Sequence, residues 1–157
     1  MSKHLLALIL SVWATAAAAQ PSVDDIAALY RPLARFVDAA GKGDEKAMTA
    51  LVSPSVTIID DTPPYYFSGG AAVHDWLAAF IADLQRHGQS DPAMTLGSPT
   101  YAIIDGSAGY LVAPGHYTFK QGGVVLHEDG NFAAALTRVG DEWRIVSWTW
   151  AGSEPTP

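Results

Sequence analysis

The stretch from Val56 to Leu84 constrains the fold most. It reads as a strand (Val56-Thr57-Ile58-Ile59), an acidic end (Asp60-Asp61), a Pro-aromatic turn (Pro63-Pro64-Tyr65-Tyr66-Phe67), then Ser68-Gly69-Gly70 and a helix. In that helix Val73, Trp76, Leu77, Phe80, Ile81 and Leu84 form one apolar stripe at the helical period. Strand and helix bury their apolar surfaces only by packing face to face, which leaves the acidic turn at the rim between them. Two carboxylates beside two tyrosines, at the end of a strand and the mouth of a cavity, are therefore the first functional candidates.

The first nineteen residues are set apart. Lys3 and His4 make a short basic start, Leu5 to Trp13 an apolar run, and Ala17-Ala18-Ala19 a small-residue cleavage site. This is the pattern of a secretory signal peptide, with an apolar run too short for a membrane span. Cleavage before Gln20 leaves 138 of the 157 residues, a length suited to a single domain. Lys3 goes with the leader, so eight basic residues face sixteen acidic ones, a net charge of −8. Such a surface repels phosphate backbones and anionic lipid, and neither nucleic acid nor membrane is expected as a partner. The chain has no cysteine, which excludes disulfides and thiolate metal sites. The expected destination is the periplasm or the cell exterior.

The mature chain opens on a helix start, Ser22-Val23-Asp24-Asp25, with a capping serine and carboxylates in the first turn. Ile26, Leu29, Leu33, Phe36, Val37 and Ala40 then form an apolar stripe, with a kink expected at Pro32. Gly41-Lys42-Gly43 closes this helix, and Asp44 caps a short second one through Met48 and Leu51. Beyond the loop His87 to Pro92 everything reads as strand and turn. Met94 to Ile104 is a strand interrupted near Gly97-Ser98-Pro99, and Tyr110 to Lys120, Val124 to Thr137 and Trp143 to Ala151 follow. Asp105-Gly106, Gln121-Gly122-Gly123 and Gly140-Asp141 are the turns, since glycine reaches positive φ cheaply. Residues 20–152 form one domain, and 153–157 are expected to be a flexible tail. Helices followed by an antiparallel meander give an α+β fold, a cone-shaped curled antiparallel sheet wrapped around the N-terminal helices. Gly97, Pro99 and Pro114 are expected bulges or bends that help the sheet curl. The hollow of such a cone is a natural ligand site.

A further set of residues carries a family resemblance. A capped first helix runs into Ala40-Gly41-Lys42-Gly43-Asp44, and a short helix leads to Val56-Thr57-Ile58-Ile59-Asp60. Phe67-Ser68-Gly69-Gly70-Ala71-Ala72 opens the helix with Trp76. The end reads Asn131-Phe132-Ala133-Ala134-Ala135-Leu136-Thr137-Arg138, then Glu142-Trp143-Arg144-Ile145-Val146-Ser147-Trp148. Together these resemble the SnoaL-like branch of the nuclear-transport-factor-2-like superfamily, over essentially the whole mature chain. The resemblance implies a cone-shaped α+β fold, one that hosts ketosteroid isomerases, polyketide cyclases, dehydratases, epoxide hydrolases and non-catalytic association domains. Ketosteroid isomerase chemistry does not carry over. The oxyanion-hole tyrosine falls at Phe36, the general base at Ile59, one residue from Asp60, and the protonated acid near Ala134 or Ala135.

Of Asp60 and Asp61, strand alternation lets at most one face the cavity. Ile58 belongs to the core, so Asp60 follows it inward and Asp61 turns to solvent. A desolvated carboxylate among Tyr65, Tyr66 and Trp76 has a raised pKa and suits proton abstraction from carbon. His116 and Tyr117 point to opposite faces, and one of them looks inward; an inward His116 near an aspartate would make an acid/base pair, the alternative being a hydrogen-bonded packing residue. His127 with Glu128 and Asp129 is half of a metal site with no second histidine at ligand spacing, so neither metal nor cofactor is expected. Trp148 and Trp150 share one strand face, Trp143 and Ile145 the other, so that one pair lines the cavity and the other packs outside or at a subunit contact. The Pro63-Pro64-Tyr65-Tyr66 turn is a lid over the mouth or a plug in it.

The leading expectation is an exported protein that binds a small, largely apolar molecule, with proton-transfer chemistry (lyase, isomerase or cyclase) through Asp60 or His116. The ligand-contacting residues are then Tyr65, Tyr66, Trp76, Tyr117, Phe132 and Trp148. The alternative is a non-catalytic homodimerisation or partner-association module whose cone is filled by its own side chains. Apolar residues on both faces of the last strands point to a homodimer through the outer sheet face.

Overall fold

The computed structural model describes residues 20–157; the export signal expected over residues 1–19 lies outside them. Helix α1 spans Val23–Gly41 and begins with a reciprocal cap. The Ser22 hydroxyl accepts from the Asp25 N–H at 3.1 Å, and the Asp25 carboxylate accepts from the Ser22 N–H at 3.1 Å. Asp44 caps α2 (Glu45–Leu51), accepting from the Ala47 N–H at 2.9 Å. Strands β1 (Val52–Ile59) and β2 (Tyr66–Ser68) then precede α3 (Ala72–His87), which ends on the left-handed Gly88. Strands β3 (Gln89–Leu96), β4 (Tyr101–Asp105), β5 (Ala108–Gln121), β6 (Val124–Val139) and β7 (Glu142–Gly152) complete the chain.

The strands form one sheet in the order β2-β1-β7-β6-β5-β3, with β4 also paired to β5. Every pairing is antiparallel except that of β1 with β7, which is parallel. The helices cover the concave face of this α+β sheet. Leu29, Leu33 and Phe36 of α1 and Val73 and Trp76 of α3 pack on Ile58, Leu111, Phe132, Leu136, Ile145 and Trp148. The interrupted strand expected from Met94 to Ile104 is two strands, β3 and β4, both on β5. They break where a Cβ on Gly97 would come within 2.8 Å of the Pro114 ring. No helix among the described residues is long and apolar enough to cross a membrane.

One irregularity overturns the expected arrangement of the last strand. Leu136 pairs with Ile145 and Ala135 with Ser147, so Val146 is an extra residue, a β-bulge. The bulge shifts the alternation by one, and Trp143, Ile145, Trp148 and Trp150 are all buried. The two pairs do not lie on opposite faces, so the apolar outer face of β7 from which a homodimer was expected does not exist. The large apolar side chains exposed on β4 and β5 are Tyr101, Ile103 and Tyr110. The tail expected to be flexible folds back along β6: His127 and Thr156 exchange N–H···O bonds of 2.9 Å, and Ser153 N–H donates to the Asp129 carbonyl at 2.9 Å.

Candidate functional site

Between α1, α3 and the concave face of the sheet lies a cavity of about 220 Å³. Strand periodicity builds its wall. On β5 the odd positions point inward, which brings Tyr117 and Phe119 to the cavity. On β6 the even positions do so, bringing Glu128 and Phe132. Tyr117 and Glu128 are direct cross-strand partners, as are Phe132 and Trp150. Trp76 and Phe80, one helical turn apart on α3, stack at a centroid separation of 5.7 Å, and Trp148 meets Trp76 edge-on at 5.2 Å.

The acidic turn closes one side. β1 ends at Ile59, and Asp60 and Asp61 lie in an irregular bend that no longer follows strand alternation. The Asp60 carboxylate accepts from the Thr62 N–H at 2.9 Å, the Asp60 N–H donates to the Tyr65 carbonyl at 3.3 Å, and Tyr65 N–H donates to the Thr62 carbonyl at 2.8 Å. Tyr65 takes a left-handed φ of 73°, uncommon for a residue with a side chain. This bend brings both Asp60 and Asp61 to the cavity rim.

The electrostatics follow from that crowding. Asp61 keeps water on one side, yet burial of its carboxyl against the cavity walls raises its pKa from 3.8 to about 6, with the charges of Asp60 and Glu128 and a hydrogen bond to Asp60 adding. Glu128 is only 8% exposed. Burial holds its carboxyl above the usual range and the charge of Asp60 adds, while a hydrogen bond donated by the Trp150 indole opposes. Burial foremost, and then the charges of Glu128, Asp61, Asp60 and Asp83, push the Tyr117 phenol up, so it stays protonated at any physiological pH. The Tyr117 hydroxyl and the indole N–H groups of Trp76 and Trp148 are buried without a hydrogen-bond partner. The site therefore combines an aromatic wall, a protonated phenol and a carboxyl poised near neutrality. Among the described residues no three His, Asp or Glu side chains are disposed to hold a metal ion.

Solved structures share this architecture. A protein from Novosphingobium aromaticivorans described as nuclear-transport-factor-2-like with a cystatin-like fold superposes with a TM-score of 0.68 at 18% identity, covering 84% of this chain and 84% of its own. A second protein from that organism, provisionally assigned as a scytalone dehydratase, gives 0.68 at 9% identity over 85% of this chain and 87% of its own. A ketosteroid isomerase-like protein from Erwinia carotovora atroseptica gives 0.63 at 14%, over 85% and 100%. The chain has the nuclear-transport-factor-2-like fold. No protein-family model matches it, and no curated protein matches it in sequence.

Within this nuclear-transport-factor-2-like cone the structure sorts the candidate residues. Trp76, Tyr117, Phe132 and Trp148 line the cavity, and so does Asp60. Asp61 lines it too while staying exposed to the solvent it was expected to face, because strand alternation stops at Ile59. His116 is not part of it. As the outward neighbour of Tyr117 it is exposed, and its Nδ1 lies 2.7 Å from the Asp129 carboxylate on the other side of the sheet. Tyr65 and Tyr66, 58% and 57% exposed, are not among the residues that line the cavity. Phe36 is in the wall, so the position matched to an isomerase tyrosine offers a ring and no hydroxyl. Glu128 went unrecognised, although it shares the β6 face of Phe132, Ala134 and Leu136, a period-two signal present in the sequence.

Proposed function

We propose that this chain binds a small, largely apolar molecule in its cone and transfers a proton on it, with Asp61 as the acid/base group. The supporting observation is the convergence of Asp61, Glu128 and Tyr117, whose hydroxyl has no protein partner, on one aromatic cavity. A carboxyl whose pKa is about 6 is close to evenly divided between acid and base near neutral pH, which is where general acid–base catalysis is efficient. Asp60 then acts as a positioning residue: it ties the turn through Thr62 and lends its charge to hold the Asp61 proton. Tyr117 donates a hydrogen bond to an oxygen of the bound molecule, and the aromatic wall excludes water. Lyase, isomerase and cyclase chemistry all fit this set of groups, and two neighbours carry dehydratase and isomerase-like descriptions. An open cavity favours this reading over an association module whose cone is filled by its own side chains.

Mass spectrometry of small molecules released from the purified, denatured protein tests the binding. Retention of a defined compound is expected, and a protein that carries nothing above background refutes the reading. With that compound in hand, Asp61→Asn is expected to lower turnover by roughly 10²–10⁴-fold while preserving side-chain shape. We further infer export, on the basic start, apolar run and Ala17-Ala18-Ala19 of the leader. N-terminal sequencing of the exported protein should begin at Gln20, and an intact Met1 on folded cytoplasmic protein refutes it.

A further inference from the structure

The charge balance of the cavity is one-sided. Asp60, Asp61, Asp83 and Glu128 line it, and no Lys, Arg or His does. Asp83 is compensated by Arg86 at 2.7 Å. Asp60, Asp61 and Glu128 have no ion-pair partner among the described residues, and Glu128 lacks one while more than nine-tenths buried. A carboxylate kept from water without a cation is costly, and the raised pKa of Glu128 expresses that cost.

The cavity wall separates this arrangement from an ordinary acidic surface. The carboxylates stand against an aromatic wall whose ring faces are electron-rich: Phe132 lies 5.5 Å from Trp148 and 5.0 Å from Trp150, centroid to centroid. Rings and unpaired carboxylates together attract one chemical class, a cation that sheds water easily. Among the described residues no three such side chains are placed to hold a metal ion together, and the ring faces favour an organic cation. A cavity of about 220 Å³ compares with the roughly 150 Å³ that accommodates a benzene ring, and it admits a single-ring body with a small head group.

Resting on the reading that the cavity binds a small molecule, we propose that its ligand is a small organic cation, an amine or quaternary ammonium on an apolar body of about one ring. The cationic head sits among Asp60, Asp61 and Glu128 and the body lies against Trp76, Trp148 and Trp150.

The test compares benzyltrimethylammonium with its neutral isostere neopentylbenzene, titrated against the tryptophan fluorescence of the full mature protein. The cation is expected to bind at least about tenfold more tightly, as one desolvated cation–ring contact plus an unpaired carboxylate imply. Five titratable groups face the site: Asp60 and Asp61 of the turn, Asp83 of α3, Tyr117 of β5 and Glu128 of β6. As pH falls from 7.5 to 5, Asp61 takes up a proton, so the affinity for the cation should drop several-fold while that for the isostere stays level. Glu128→Gln should abolish most of the preference, and unchanged binding of neopentylbenzene would show that its cavity is intact. Equal affinities, or a preference for neopentylbenzene, overturn the cation proposal and leave the small-molecule reading standing. Binding of neither compound also overturns it, and the retained-ligand measurement then decides the small-molecule reading independently.

Discussion

Asp61→Asn should make the protein more stable at pH 8 and leave its stability unchanged at pH 4. The Asp61 carboxyl is raised from 3.8 to about 6 by burial, by the charges of Asp60 and Glu128 and by its hydrogen bond with Asp60. Between those two pH values the folded chain holds a proton that the unfolded chain has released. The stability that this proton supplies is present in full below about pH 4 and lost as pH rises through about 6. A tenfold change in proton affinity corresponds to about 1.4 kcal/mol, so the rise from 3.8 to about 6 has an upper bound of roughly 3 kcal/mol. Asp61 is exposed on one side, and solvent screening there reduces the effect to about 1 kcal/mol. Asparagine never carries the charge, so the variant escapes this loss.

For a domain of this size, an effect of about 1 kcal/mol appears as a rise in Tm of about 3–5 °C at pH 8. Thermal unfolding followed by circular dichroism at pH 4, 5, 6, 7 and 8 should show the two proteins superimposed at pH 4 and diverging above pH 5. The coupling has its own signature. Asp60 is the nearest like charge, so Asp60→Asn should bring the Asp61 titration down towards the ordinary carboxylate range, measured by carboxyl-carbon NMR. A Tm difference that is constant from pH 4 to pH 8 would refute the electrostatic account. So would an asparagine variant less stable than the parent at pH 8, which would mean that the Asp61 carboxylate is held by favourable contacts.

Gly130→Ala should cost about 2–3 kcal/mol in chemical denaturation, because the added Cβ would press on the Ala151 carbonyl and come within 2.7 Å of the Gly152 Cα and the Trp150 ring. A loss below about 0.5 kcal/mol, the size of an ordinary surface change, would mean that β6 and β7 yield freely there. Deleting Val146 should abolish cooperative unfolding, whereas Val146→Ala should leave it intact; a folded deletion variant would show that the bulge is dispensable. Ser22→Ala should cost about 1 kcal/mol by removing the α1 cap, and no change in the denaturation midpoint would show that the cap is redundant.

What the sequence disclosed, and what it withheld, follows from how each signal depends on its neighbours. Helical stripes and glycine turns are local, and they lead directly to α1, α3 and the hairpins. Strand faces are read by counting in twos, and that count holds only while each residue has a partner. Val146 looks like any strand valine, yet as the extra residue of a bulge it reverses the face of everything on one side of it. Four buried aromatic and aliphatic residues were thereby divided between two faces, and the expected apolar outer surface came from that division alone. Asp61 is a mixed case at a strand end: it is exposed, as the alternation implied, yet it also lines the cavity, because the strand stops at Ile59 and the bend held by Asp60 and Thr62 sets its direction. Glu128 is the opposite case. Between His127 and Asp129 it resembled part of a metal site, while its β6 face-mates Phe132, Ala134 and Leu136 already marked it as inward. Burying a carboxyl among apolar residues is costly, so a lone acid on the apolar face of a regular strand is a stronger site signal than an acidic pair in a turn, where solvation is the default. The cavity of this cone is organised around that acid and the turn opposite, and its chemistry is read from which carboxyls face inward rather than from how many the sequence contains.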